Sequence, residues 1–158
     1  MTVSILSVGN LKEKYLLDAI AEYKKRLSTY AKVEEIQLKE ETIHNEDDKS
    51  EIAAALRAEG ERLLRAIPKD AYKVALCVEG KSYDSVALAK LIEEGTGASG
   101  KLALVIGSSH GLDESVKAAC DLRLSVSKLT FPHQLMRVLL MEILYRSFTI
   151  LKGKRYHK

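Results

Sequence analysis

The sequence contains few of the features that mark secreted, membrane or metal-binding proteins. Its only two cysteines, Cys77 and Cys120, are far apart and lie among apolar residues, which favours two buried free thiols. No histidines and carboxylates have the spacing of metal ligands. The N-terminus lacks the pattern of a signal peptide, and no apolar run approaches the ~20 residues that span a membrane. We therefore expect a cytoplasmic protein with no metal and no membrane contact.

The sequence also has little excess charge of either sign. It has 25 lysines and arginines against 22 acidic residues, a net charge of +3, which permits an anionic partner without requiring one. Hydrophobic residues make up 46% and charged residues 30%, as in globular proteins. The 158 residues contain no linker, repeat or low-complexity segment. We therefore expect a single domain over residues 1–158.

Short apolar runs alternate with segments of helical periodicity along the whole chain. Alternation of this kind predicts an α/β fold with a mostly parallel sheet and helices on both faces. A long helix is predicted after Pro132, because proline disfavours a helical conformation at the preceding Phe131. The runs predicted as strands are Val3–Gly9, Val33–Lys39, Tyr72–Gly80, Lys101–Gly107 and Leu122–Lys128.

Three predicted strand ends are candidate binding loops, because open parallel sheets bind ligands at the carboxyl ends of their strands. They are Leu76–Gly80, Gly107–Gly111 and Ser125–Phe131. The second loop, VIGSSHG, matches neither a Walker A loop nor a GxGxxG fingerprint, so its glycines indicate a ligand or an ordinary turn equally well. In the third, extended backbone over Lys128–Phe131 could bind a polar ring such as a purine, and a plain connecting loop explains it as well.

The last predicted helix is apolar on nearly every side, and the chain ends soon after it in KGKRYHK. A surface helix normally keeps a charged face, so something should cover this one. Glu142 and Arg146 lie one turn apart and suit an ion pair. In so apolar a helix, that pair is expected to face a site or a partner. A histidine at a helix start, such as His133, is more often a structural hydrogen-bonding residue than a catalytic one. His110 is more often simply a turn residue.

Several motifs together resemble those of one family. They are VGNLKEKYLLDAIAEYKKRL, EGERLL, EGKSYDS, LVIGSSHGL, LSVSKLTFPHQLMRVLLMEILYRSF and the terminal YHK, and the last two are the most specific. The chain resembles, over essentially its whole length, the SPOUT-class ribosomal RNA large subunit methyltransferase H family, the pseudouridine N3-methyltransferases.

The resemblance implies a fold, a cofactor, a partner and a substrate. The fold would contain a C-terminal trefoil knot, which general folding rules alone would not suggest. The chain would form a homodimer, partly through the last helix. The substrate would be a pseudouridine in helix 69 of 23S rRNA, reached in the assembled 70S ribosome. S-adenosylmethionine would be held by Leu76, Gly107, Val126, Ser127, Lys128, Leu129, Thr130 and Phe131.

One residue departs from the family pattern. The family usually has a second glycine after the one at 107, where this chain has Ser108. A serine is strained there if the position requires a positive φ angle, and harmless otherwise.

The expected chemistry is a direct displacement at the methyl group of a sulfonium. The proton on N3 must leave, and the candidates to accept it or to stabilise the resulting anion are Arg146, Tyr156, His157 and His133. By analogy with the family, the C-terminal tail would complete an active site, either that of its own subunit or that of the facing subunit. The alternatives are a non-enzymatic RNA-binding module and another small-molecule α/β enzyme, and binding of S-adenosylmethionine discriminates between a methyltransferase and a mere RNA binder.

Overall fold

Five parallel strands form one sheet in the computed structural model, which describes all 158 residues. The spatial order of the strands is β2-β1-β4-β3-β5. The strands are β1 (Thr2–Val8), β2 (Lys32–Leu38), β3 (Tyr72–Lys81), β4 (Lys101–Ile106) and β5 (Leu122–Leu124). The helices are α1 (Lys14–Leu27), α2 (Lys49–Ala66), α3 (Ser85–Thr96), α4 (Glu114–Ala118) and α5 (His133–Leu151). The predicted α/β class and parallel sheet are confirmed.

Helices cover both faces of the sheet, as predicted. Alternate side chains of a strand point to opposite faces, so β1 sends Val3 and Ile5 to one side and Leu6 and Val8 to the other. The first side packs against α1, α3 and α5, and the second against α2 and α4. Because both faces are covered, the central strands β1 and β4 are buried along nearly their whole length, including Ser4 and Ser7 of β1.

The chain after β5 differs from the prediction. The strand ends at Leu124 rather than continuing to Lys128, because serine side chains then hydrogen-bond the local backbone. Ser125 Oγ donates to the Ser127 carbonyl over 3.0 Å, and the Leu129 N–H donates to Ser127 Oγ over 3.0 Å. Bends at Lys128 and Leu129 mean that the extended backbone predicted over Lys128–Phe131 is wrong for its first half.

Helix α5 begins at His133, directly after Pro132, as predicted. A stripe at helical spacing packs into the core between α1 and α3, and it includes Leu140, Met141, Leu144 and Phe148. Partly exposed apolar residues remain on α5 outside both core clusters. Packing in the core thus accounts for the apolar residues on one side of α5. The knot and the partner subunit remain predictions.

The remaining expectations concern thiols, metals and membranes. Cys77 and Cys120 form no disulfide and are partly buried, and burial raises the pKa of the Cys120 thiol to about 11. Three or more potential metal ligands do not come together anywhere in the chain. None of the five helices combines the length and the apolarity that crossing a bilayer would need.

Candidate active site

A cavity of about 350 Å³ opens at the carboxyl ends of β3, β4 and β5. These three strands are neighbours in the sheet, so the loops that follow them meet at one edge. Ten of the twenty lining residues are hydrophobic, and the others supply backbone and side-chain polar groups. A cavity of this size and character suits a small organic ligand with apolar and polar parts.

Gly107 forms the floor of this cavity. A Cβ atom there would lie 2.1 Å from the carbonyl oxygen of Gly111, so no other residue fits without movement of the loop. The loop is closed by a hydrogen bond of 2.9 Å from the Gly111 N–H to the Ser108 carbonyl. Ser108 is buried and no residue other than glycine has a positive φ, so the serine is not strained.

Irregular pairing shapes the wall that β3 contributes. The register between β3 and β5 shifts between Leu76 and Lys81, so residues 77–80 bulge out of the ladder. Gly80 permits the close approach of β5, because a Cβ there would lie 2.6 Å from the backbone carbon of Leu124. The bulge contributes Cys77, Val78 and Glu79 to the cavity.

The structure brings together most of the residues that the sequence and the resemblance pointed to. Seven of the eight expected cofactor contacts line the cavity, and His133, the first residue of α5, joins them. Those seven are Leu76, Gly107, Val126, Ser127, Leu129, Thr130 and Phe131. Lys128 is exposed and does not line the cavity.

Sequence reasoning missed one charged pair at the cavity. Lys117 of α4 lines the wall and donates a hydrogen bond to Glu79, which also lines it. This bond raises the pKa of Lys117 and lowers that of Glu79. Nothing in the short α4 segment marks Lys117 as different from other surface lysines, so only the tertiary structure reveals its position.

Arg146, Tyr156 and His157 lie together, away from the lining of this cavity. Arg146 donates from Nε and Nη2 to Glu142 Oε1 over 2.9 and 2.6 Å, so the predicted ion pair exists. Its guanidinium lies 4.7 Å from the centre of the Tyr156 ring, and its Nη1 is 3.4 Å from His157 Nδ1. The tail is therefore folded back onto its own α5.

Glu142 ties the tail to the helix. The Tyr156 hydroxyl donates to Glu142 Oε2 over 2.8 Å, and the Tyr156 ring packs edge-on against Tyr145 at 4.8 Å. The hydrogen bond to Glu142, followed by burial, raises the pKa of Tyr156. A tyrosine held as a donor in this way is a poor proton acceptor near neutral pH, and it suits a positioning role better.

A second cavity, of about 210 Å³, adjoins the first and contains Arg146 in its lining. The two cavities share Leu124 and Val126, which stand between them. Tyr83, Leu88 and Ile143 supply most of the remaining apolar lining of the second cavity. The chain therefore presents two adjoining spaces, one with the expected cofactor residues and one with a cation.

Comparison with known proteins defines the class to which this fold and site belong. A family model described as "Predicted SPOUT methyltransferase" matches residues 1–157, nearly the whole chain. The chain belongs to the SPOUT methyltransferase family.

Individual relatives identify a more specific group within this family. The ribosomal RNA large subunit methyltransferase H of Shouchella clausii (strain KSM-K16) is 50% identical over 159 residues, and that of Bacillus pumilus (strain SAFR-032) is 45% identical over 159 residues. A putative ribosomal RNA large subunit methyltransferase H of Methanococcus maripaludis (strain C5 / ATCC BAA-1333) is 44% identical over 160 residues. Each alignment covers 100% of both chains, which confirms the family resemblance inferred from the motifs.

A solved structure is also similar in part. The SpoU methyltransferase AviRb from Streptomyces viridochromogenes, in complex with the cofactor AdoMet, aligns with a TM-score of 0.41 and 13% identity. The alignment covers 98% of this chain and 59% of AviRb. A likeness this low supports no inference about the site.

Proposed function

We propose that the protein transfers a methyl group from S-adenosylmethionine to N3 of a pseudouridine in helix 69 of 23S rRNA, within the assembled ribosome. The observation that carries the proposal is the cavity on Gly107, where a bare backbone floor meets the loop from Val126 to Phe131. The rRNA substrate comes from the relatives, which are named ribosomal RNA large subunit methyltransferases. A module that only bound RNA would not need this floor.

The residues around the cavity fit the proposed cofactor. Leu76, Val126 and Phe131 offer apolar surface for an adenine ring, and backbone groups beside them can bind its polar edge. Gly107 lines the cavity, and its lack of a side chain lets the Gly111 backbone pack against it, so that the loop folds tightly beside the space that a ligand would occupy. When bound, the cofactor supplies an electrophilic methyl group at a positively charged sulfur. The protein must align the base with that methyl group and exclude water.

Arg146 is the best candidate to stabilise the anion that forms when N3 loses its proton. Its guanidinium lines the cavity that adjoins the cofactor cavity, and a fixed cation beside a developing negative charge lowers the barrier. Two N–H groups of the guanidinium, on Nε and Nη2, donate to Glu142 Oε1, which fixes the direction of the guanidinium. His133 and His157 are the candidates to accept the proton, whereas Tyr156 is better placed to hold the tail through Glu142.

The tail is proposed to act on the site of the facing subunit in a homodimer. In a single chain, Tyr156 and His157 do not line the cofactor cavity of their own subunit. A second copy, packed through the exposed apolar side of α5, would bring its own tail to a neighbouring site. This arrangement would also explain why α5 keeps apolar residues outside the core.

Methylation of defined substrates tests the proposal. Purified protein and radiolabelled S-adenosylmethionine are incubated with 70S ribosomes, isolated 50S subunits and protein-free 23S rRNA, all from cells lacking the modification. We expect label mainly in the assembled ribosome, at one pseudouridine, with the added methyl assigned to N3 by mass spectrometry. Ribosomes carrying uridine in place of that pseudouridine serve as the matched control. Label at another site, or none at all, would refute the assignment.

A further inference from the structure

Two charged residues line the candidate cofactor cavity, and they carry opposite signs. Glu79 comes from the bulge of β3 and Lys117 from α4, while every other lining residue is uncharged or a histidine. A charge beside a largely apolar cavity is costly unless it is paired or bound by a ligand. The pair therefore suits a ligand that itself carries both signs of charge.

The ammonium group of Lys117 is only partly satisfied by the protein. Its side chain is 15% exposed, and its one hydrogen bond goes to Glu79. Glu114 Oε2 lies 3.8 Å away, which is too far for a hydrogen bond. An ammonium group has three N–H donors, so two of them remain available to a ligand.

Neighbouring elements hold Lys117 in place. The preceding residue, Val116, is fully buried, and α2 packs so closely on α4 that a Cβ atom at Gly60 would lie 3.2 Å from the Val116 Cγ2. Arg123 Nη2 binds Glu114 Oε1 at 2.6 Å, which also links α4 to β5. The ammonium group is thus positioned at the cavity wall before a ligand arrives, which lowers the entropic cost of binding.

Glu79 supplies the negative charge of the pair. The hydrogen bond from Lys117 lowers the pKa of Glu79, so its carboxylate is ionised near neutral pH. That bond uses only Oε1, and the side chain is 56% exposed. The second oxygen, Oε2, can therefore accept a hydrogen bond from a ligand.

We propose that Lys117 and Glu79 form a subsite for the amino-acid end of S-adenosylmethionine, in which Lys117 binds the carboxylate and Glu79 accepts hydrogen bonds from the ammonium group. The inference rests on the proposed binding of S-adenosylmethionine in this cavity. The apolar residues assigned to the adenine ring, Leu76, Val126 and Phe131, share the lining with the pair. One cavity thus offers an apolar region and a region with both charges, as the two ends of this cofactor require.

Titration calorimetry on the full-length protein tests the inference with two ligands that differ at this end. S-adenosylhomocysteine has the amino-acid end, whereas methylthioadenosine lacks it and keeps the nucleoside and the sulfur. Lys117→Met should weaken binding of S-adenosylhomocysteine about tenfold, as expected for a lost hydrogen bond between charged groups, and leave methylthioadenosine unaffected. Lys117→Arg keeps the charge and should retain most of the affinity. Lys90→Met, at an exposed lysine of α3, is the matched control and should change neither affinity.

Decarboxylated S-adenosylmethionine separates the two roles, because it lacks only the carboxylate. Wild-type protein should bind it about tenfold more weakly than S-adenosylmethionine. Lys117→Met should remove this difference, whereas Glu79→Gln should keep it while weakening both ligands. Equal losses for S-adenosylhomocysteine and methylthioadenosine in Lys117→Met would indicate a merely structural role and overturn the inference, as would unchanged affinity. Wild-type protein that binds none of these ligands would instead remove the proposed function on which it rests.

Discussion

Arg137 of α5 and Glu35 of β2 form an ion pair inside the protein, with Arg137 Nη2 3.0 Å from Glu35 Oε2. The two residues are 102 positions apart in the sequence. Lys24 of α1 binds the other carboxylate oxygen at 2.5 Å, so Glu35 joins two helices to the edge of the sheet. The exposed fraction of the Arg137 side chain is 3% and that of Glu35 is 13%, so water screens the pair weakly.

The first prediction concerns the stability that this pair supports. Glu35→Gln should lower the free energy of unfolding by about 3 kcal/mol, because it leaves the Arg137 guanidinium buried without a counter-charge. The measurement is urea denaturation of the full chain. Glu34→Gln is the control, since Glu34 is more exposed and pairs only with the exposed Lys32, and it should have almost no effect. Equal stability of the two variants would contradict the prediction.

The same pair predicts a pH dependence. Burial raises the pKa of Glu35, but the hydrogen bonds and charges of Lys24 and Arg137 outweigh it and leave the pKa below its ordinary value of 4.5. Because the folded-state pKa is depressed, the contribution of Glu35 is fully present above pH 4.5 and is lost as the pH falls through the folded-state pKa. Between those values the wild type should lose more stability than Glu35→Gln. Parallel curves for the two proteins would show that Glu35 does not contribute.

Another prediction concerns the floor of the cofactor cavity. Gly107→Ala should abolish binding of S-adenosylmethionine, because the added Cβ would displace the Gly111 carbonyl and close the loop differently. Wild-type protein should bind one cofactor molecule per chain in titration calorimetry. Gly100→Ala is a matched control at the opposite end of β4, where φ is +59° and the added Cβ meets nothing within 4 Å. It should reduce stability by about 1 kcal/mol and leave cofactor binding intact.

The tail should be needed for methyl transfer but not for cofactor binding. Deleting Arg155–Lys158 should reduce methylation of ribosomes by orders of magnitude, because a positioning or proton-handling group is lost. Cofactor affinity should not change, since the tail does not line the cofactor cavity. Tyr15→Phe, on an exposed tyrosine of α1, is a control for loss of a tyrosine hydroxyl and should keep full activity. Full activity of the truncated protein would exclude a catalytic role for the tail.

Mixed dimers decide whether the tail acts within or between subunits. One subunit carries Gly107→Ala with an intact tail, and the other lacks the tail but binds cofactor. If the tail acts on the facing subunit, the mixed dimer has one complete site and should recover activity that neither parent possesses. If mixed dimers remain inactive, the tail serves its own subunit.

The final prediction locates the dimer interface on α5. Leu139 and Ile150 are partly exposed and belong to neither core cluster, whereas Leu140 is 1% exposed. Leu139→Asp should therefore convert a dimer of about twice the 17.6 kDa chain mass into a folded monomer, as measured by light scattering. Leu140→Asp should instead unfold the chain, because it buries a charge in the core. Leu64→Asp, on the exposed side of α2, should leave the dimer intact. A wild type that is monomeric at micromolar concentration would refute the interface.

The sequence by itself determined the element types, the start of α5 and the three loops of the candidate site. Local signals suffice for these features, because hydrophobic periodicity and the fixed φ of Pro132 act within a few residues. The motifs, from LVIGSSHGL to the terminal YHK, also determined the family. The local pattern predicted a β5 that was too long, because the alternation of apolar residues continues through Val126. The strand itself ends at Leu124, where serine side chains take over the hydrogen bonds of the local backbone.

Only the tertiary structure decided which residues meet. The strand order β2-β1-β4-β3-β5 brings the loops after β3, β4 and β5 to one cavity, and that order depends on burial between distant segments rather than on any local pattern. Arg137 and Lys117 look in the sequence like ordinary surface charges. Their roles follow from partners that are distant in sequence, Glu35 for Arg137 and Glu79 for Lys117. A charge whose counter-charge is distant in sequence has the same local pattern whether it is buried or exposed.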